Sequence, residues 1–134
     1  MTPNDPPAVA PLHAILLAFP IALFTFAVFT DLAYLGTAQI QWTNFSAWLI
    51  AGGLLSGGLV GLWAIVDLVR GRRRALTYLL LLAAMWVAGL VNAFQHSRDG
   101  WASVGAAGLM LSLLSAGLAL AAGWVAFSRR ERSS

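Results

Sequence analysis

Residues 45–69 read FSAWLIAGGLLSGGLVGLWAIVDLV, a stretch in which Asp67 is the one charged residue. About 20 apolar residues in a helix cross the hydrocarbon core of a bilayer, so this stretch is long enough to span a membrane. The chain contains three further apolar stretches of similar length, and none shows the period-two alternation typical of membrane β-strands. The sequence therefore predicts an all-α, polytopic membrane protein with a bundle of four transmembrane helices, at residues 12–35, 45–69, 75–95 and 102–127.

The composition agrees with a membrane protein and leaves little room for a soluble catalytic domain. Of 134 residues, 60% are hydrophobic and 10% are charged, whereas soluble domains carry about 25% charged residues. The absence of cysteine excludes disulfides, thiolate metal sites and covalently attached haem. No phosphate loop, HExxH pattern or Ser/His/Asp triad is present, which favours a non-catalytic role.

The arginines predict the orientation, because Arg and Lys next to membrane helices are retained on the cytoplasmic side. Four lie in the second connection, and three follow the last apolar stretch: Arg70, Arg72, Arg73, Arg74, Arg129, Arg130 and Arg132. We therefore expect an inner-membrane protein with both termini in the cytoplasm. Residues 1–11 are expected to be a disordered tail, and residues 128–134 a basic tail. The expected partners of these arginines are anionic lipid headgroups rather than nucleic acid.

Small residues recur on the second predicted helix and indicate close helix packing. Gly53, Gly57 and Gly61 follow one another at four-residue spacing, and the last helix carries Gly108 and Ser112. Such ridges let two backbones approach, because dispersion contacts are what holds helices together in lipid. We expect the second helix to pack on the fourth. The same ridge could instead join copies of the chain in a homo-oligomer.

Polar side chains gather at the predicted outer end of the bundle, where they form a candidate site that we call the outer polar cluster. Polar groups inside a membrane are costly, so each marks a candidate functional position. One interpretation is a pocket for a quinone headgroup, a metal or a partner protein. The other is an interfacial lock in which Asp31 pairs with Arg98. The members are Asp31, Tyr34, Asn44, Asn92, Gln95, His96, Arg98 and Asp99.

A second group, the inner polar cluster, lies at the other end and contains His13, Asp67 and Tyr78. An ion pair between Asp67 and Arg70, one turn apart, accounts for the carboxylate without a ligand. His13 could bind a ligand, relay protons or cap the first helix. The two histidines of the chain are expected at opposite membrane faces, and two haem ligands must face each other at one depth. No cofactor is therefore predicted, although haem and quinone are not excluded.

Several motifs resemble a family of bacterial membrane proteins catalogued as domain of unknown function 2231. The resemblance extends from His13 to Trp124 and depends on the combination of these stretches rather than on any one alone. They are LHAILLAFPIALF at 12–24, TDLAYLGTA at 30–38, FSAWLIAGGLLSGGLVG at 45–61, VDLVRGRRRAL at 66–76 and VNAFQHSRDGWASV at 91–104.

The resemblance implies a four-helix inner-membrane protein associated with periplasmic sugar dehydrogenases or c-type cytochromes. It also implies histidines at two positions where this chain has Ala18 and Tyr78, and a proline after His13 where this chain has Ala14. The leading hypothesis is therefore a non-catalytic membrane subunit that docks a periplasmic redox enzyme, near a quinone. The alternatives are a small oligomeric transporter or channel, and a structural membrane protein without a ligand.

Overall fold

The computed structural model describes residues 10–71, 76–96 and 106–132, with side chains as far as Ser128. These ranges are almost entirely helical and contain no strand. The four helices are α1 (Pro11–Thr37), α2 (Ile40–Val69), α3 (Leu76–His96) and α4 (Ala106–Arg132). All four are long and apolar enough to cross a membrane. The predicted fold class, a bundle of four membrane-spanning helices, is confirmed.

α2 begins five residues before, and α4 ends five residues after, the hydrophobic stretch that predicted it. α2 begins at Ile40, and the connection to α1 consists of Ala38 and Gln39 alone. Ala38 adopts a left-handed conformation (φ 56°), and its N–H donates to the carbonyl of Tyr34, which ends α1 and reverses the chain. α4 continues to Arg132, through most of the expected basic tail. Residues 1–9 of the expected N-terminal tail lie outside the described residues.

The helices form a four-sided bundle in which each packs on two neighbours. α1 contacts α2 and α4, and α3 contacts the same two helices. α2 and α4 are therefore diagonal to each other, so the expected packing of the second helix on the fourth is wrong. The glycines of α2 serve its contacts with α1 and α3 instead.

Phe24 explains why α2 and α3 carry glycine at mid-depth. Its ring is fully buried and inserts between Gly53 of α2 and Gly89 of α3. A Cβ on Gly53 would lie 2.7 Å from the ring, and one on Gly89 would lie 2.9 Å from it. Both distances are shorter than van der Waals contact, so only glycine leaves room for the aromatic ring. Further along α2, a Cβ on Gly57 would meet Met85 at 2.9 Å, whereas one on Gly61 would meet nothing within 4 Å.

Large apolar side chains cover the outside of the bundle. Phe29, Leu55 and Trp124 are all more than half exposed, as expected for residues that face lipid. The core combines large residues such as Phe24 with alanines such as Ala64 and Ala119, which let the helices approach closely.

The orientation across the membrane is a prediction that cysteine labelling can test, because the native chain has no cysteine. Gln39 and Arg70 are exposed positions at the two ends of α2. We expect Gln39→Cys to react with a membrane-impermeant maleimide added to intact spheroplasts, and Arg70→Cys to react only after permeabilisation. The opposite pattern would place the arginine-rich connection outside and overturn the orientation.

Candidate functional site

Asp31 is the centre of a buried hydrogen-bond network at the end of the bundle that we predict to be the outer one. It lies near the end of α1 and is 1% exposed. One carboxylate oxygen lies 2.8 Å from Nε2 of His96, the last residue of α3. The other accepts a hydrogen bond of 2.5 Å from the hydroxyl of Ser112 on α4. A single side chain of α1 therefore holds both α3 and α4.

The hydrogen bonds of His96 determine how many protons this network contains. Nδ1 lies 2.9 Å from the backbone carbonyl of Asn92, and a carbonyl can only accept, so Nδ1 carries a proton. The contact between Nε2 and Asp31 requires one further proton between them. That proton makes the pair either an imidazolium with a carboxylate or a neutral imidazole with a carboxylic acid. The pair therefore holds one proton more than a neutral histidine beside a carboxylate.

Asn92 is joined to this network, and a separate pair of hydroxyl groups links α1 to α2 at the same end of the bundle. The Asn92 amide donates to the Ser112 hydroxyl at 2.9 Å, and its own oxygen has no hydrogen-bond partner within the part of the chain that the structure describes. Thr30, one residue before Asp31, shares a hydrogen bond of 2.5 Å with buried Ser46 of α2. The outer end of the bundle is thus joined by polar contacts on every helix.

Ser112 is a member of this network that the sequence did not assign to it. We predicted that Ser112 serves helix packing. Ser115 donates to the carbonyl of Leu111 in its own helix, as is common for serine in membrane helices. Ser112 instead donates to Asp31. The feature that could have indicated this contact is the position of Ser112 on the buried face of α4.

Among the remaining predicted members of the outer polar cluster, the described side chains differ in how far they are buried. Tyr34 and Gln95 are half-buried at the same end, and Asn44 is exposed on the first turns of α2. Arg98 and Asp99 lie outside the described residues, so the expected pairing of Asp31 with Arg98 stays a prediction. The described partners of the Asp31 carboxylate are His96 and Ser112.

The inner polar cluster is centred on a contact between His13 and Tyr78. His13 Nε2 lies 2.6 Å from the Tyr78 hydroxyl, and both side chains are buried. The edge of Trp63 packs against the imidazole with ring centroids 5.2 Å apart. Asp67 is buried on the same end of α2, whereas Arg70 is exposed. The three predicted members therefore occupy the same end of the core, from α1, α2 and α3.

The comparison with known protein families agrees with the resemblance noted in the sequence. Residues 9–126 match the family described as predicted membrane protein DUF2231. The chain belongs to this family. Comparison of this DUF2231 protein with curated proteins and with solved structures gave no match.

In this DUF2231 protein the two polar clusters are separated by an apolar middle. His13 and Asp31 are about 27 Å apart along α1, at 1.5 Å per residue. Between them lie Phe24, Ala27 and other apolar core residues. The hydroxyls of Thr25 and Ser56 in this region donate to carbonyls of their own helices. The described helices thus provide no continuous polar path from one end to the other.

The distance between the two polar clusters limits which cofactors one chain of this DUF2231 protein could hold. His13 and His96 lie at opposite ends of the bundle, so two histidines of one chain cannot ligate the two faces of one haem. Among the described residues, no group of three His, Asp or Glu side chains is arranged to hold a metal ion. The chemistry that the outer polar cluster offers is hydrogen bonding and the retention of one proton.

Proposed function

We propose that this DUF2231 protein is a non-catalytic membrane subunit that docks a periplasmic redox enzyme or cytochrome through the outer end of its bundle. The observation that supports this proposal is the buried network around Asp31. His96 is the last residue of α3, and Ser112 lies in the second turn of α4. Both are bonded to one carboxylate, so the two helix ends that bracket residues 97–105 are held together.

A segment whose two ends are fixed is suited to presenting a binding surface, because less conformational entropy is lost when a partner binds. Residues 97–105 include Arg98, Asp99 and Trp101. Arginine and tryptophan are enriched among the residues that contribute most to protein interfaces. The composition of this segment therefore supports a protein partner at the outer end.

The redox character of the partner and the bacterial inner membrane as its location are proposals based on the family resemblance. A quinone in the same membrane would be the electron acceptor of such a partner. The transporter alternative has less support, because a transport pathway requires polar groups near the middle of the membrane. The described core at that depth is apolar, with Phe24 filling the space between α2 and α3.

Affinity purification from the native membrane tests the proposed docking role. We expect the double variant Arg98→Gln with Asp99→Asn to recover about tenfold less of the co-purifying periplasmic redox protein, identified by its absorption spectrum and mass. The matched control, Arg129→Gln with Arg130→Gln, changes two charged residues in the last turns of α4 at the other end and should recover the wild-type amount.

Both variants should unfold at the wild-type temperature, since neither changes a residue that the structure places in the described core. Equal recovery of redox protein from the wild type and both variants would remove the docking proposal. So would the absence of any periplasmic protein from the wild-type preparation, and the structural alternative would then be the better explanation.

A further inference from the structure

An apolar groove lies between α2 and α3 in the half of the bundle next to the arginine-rich connection. It has a volume of about 370 Å³. Gly58 and Gly61 form its floor, and Ile65 and Leu79 line the end nearer the connection. Gly61 has open space where a side chain would be, because no atom lies within 4 Å of a Cβ built there. The bundle therefore leaves this part of α2 uncovered.

Trp86 closes the other end of the groove. Its indole Nε1 donates to the backbone carbonyl of Leu54 on α2 at 3.0 Å, which fixes the ring across the two helices. A Cβ on Gly58 would lie 3.4 Å from this nitrogen, so glycine at this position leaves room for the indole to reach α2. The groove is thus limited at mid-membrane and extends from there toward the arginine-rich connection.

Positive charge at the open end of the groove indicates which kind of ligand the groove binds. Arg70 ends α2, five residues beyond Ile65, and is exposed. A second groove, between α1 and α4, has a volume of about 380 Å³ and ends at Ser128, immediately before Arg129 and Arg130 in the sequence. Both grooves therefore lead toward the basic ends of the helices. Arginine at this level attracts the phosphate of anionic lipids.

We propose that the groove between α2 and α3 binds one acyl chain of an anionic phospholipid whose phosphate contacts Arg70. From Ile65 to Gly57 the groove follows α2 for about 12 Å, at 1.5 Å per residue. One leaflet of the hydrocarbon core is about 15 Å thick. An acyl chain that begins near the arginine thus reaches the closed end at Trp86. This proposal is independent of the docking role at the outer end.

Native mass spectrometry of the full chain in detergent micelles tests this site with dioleoyl phosphatidylglycerol and dioleoyl phosphatidylcholine as probes. We expect Gly61→Leu, which places a side chain in the groove with no atom within 4 Å of its Cβ, to weaken phosphatidylglycerol binding about tenfold. Gly117→Leu is the matched control, because Gly117 on α4 is exposed and also has nothing within 4 Å. It should bind both lipids as the wild type does.

Arg70→Gln tests the contribution of the lipid headgroup to binding separately from that of the acyl chain. It should weaken phosphatidylglycerol binding more than phosphatidylcholine binding, because both lipids carry the phosphate but only phosphatidylglycerol has a net negative charge. Wild-type binding of phosphatidylglycerol by Gly61→Leu would overturn the proposal. It would also be overturned if Gly61→Leu converted a dimer to a monomer with no change in bound lipid, because the groove would then be occupied by a second copy of the chain.

Discussion

Replacing Gly53 with leucine is expected to destabilise the bundle more than any other single change to the glycines of α2. The Phe24 ring occupies the space in which the new side chain would lie, with ring atoms 2.7–3.0 Å from the position of its Cβ. The ring cannot move away, because Gly89 contacts it on the α3 side. The helices must therefore separate, at a cost of about 3 kcal/mol or more in the free energy of unfolding. Reversible unfolding in mixed micelles, followed by circular dichroism, measures this loss.

Gly61→Leu provides the control for Gly53→Leu, because it adds the same side chain to the same helix in open space. Its free energy of unfolding should stay within about 0.5 kcal/mol of the wild type. Gly57→Leu should fall between the two, since the atom it would meet is the terminal methyl group of Met85, which can rotate away. Equal losses for Gly53→Leu and Gly61→Leu would show that Phe24 does not hold the helices at this point.

The second large effect is expected for Asp31→Ala. This change leaves the Nε2 of His96 and the hydroxyl of Ser112 buried without the acceptor that joins them. Each unsatisfied buried group costs about 1–3 kcal/mol, so we expect a loss of about 2–4 kcal/mol in the free energy of unfolding. The same unfolding titration measures it.

Asp31→Asn is the informative companion to Asp31→Ala. The asparagine amide can donate to a neutral His96 while its oxygen accepts from Ser112, so both hydrogen bonds remain without the extra proton. We therefore expect Asp31→Asn to lower the free energy of unfolding by less than about 1 kcal/mol. This is within the range measured for single hydrogen bonds between membrane helices. A loss as large as that of Asp31→Ala would mean that the charge or the proton, rather than the hydrogen bonds, stabilises the bundle.

The sequence predicts the four helices well, because lipid imposes a simple rule. A span must be apolar and about 20 residues long, and each stretch in this chain meets that requirement. The helix partners were harder to predict. Glycine at positions 53, 57 and 61 indicates that another group approaches closely, but it does not say which one. The approaching groups are the Phe24 ring at Gly53 and the Met85 side chain at Gly57, whereas no described atom lies within 4 Å of a Cβ at Gly61. Large residues that fit against glycine leave no periodic pattern of their own.

The sequence predicted only part of the candidate site, and the reason is similar. Asp31, Asn92 and His96 stand out because polar residues are rare in membrane helices, and topology brings the ends of α1 and α3 to the same depth. Ser112 did not stand out, because serine is common in such helices and usually bonds to its own backbone, as Ser115 does. Whether a hydroxyl bonds inside its helix or across to another depends on rotation about the helix axis. Composition and spacing do not specify that rotation.

A double-mutant cycle between Asp31 and His96 tests most directly the claim that their buried contact locks the outer end of the bundle. The free energy of unfolding would be measured for the wild type, Asp31→Ala, His96→Ala and the double variant under the same micelle conditions. The structure predicts that the double variant loses at least about 1 kcal/mol less than the sum of the two single losses, because each single change already removes the shared contact. Single losses that add to within about 0.5 kcal/mol would contradict the lock.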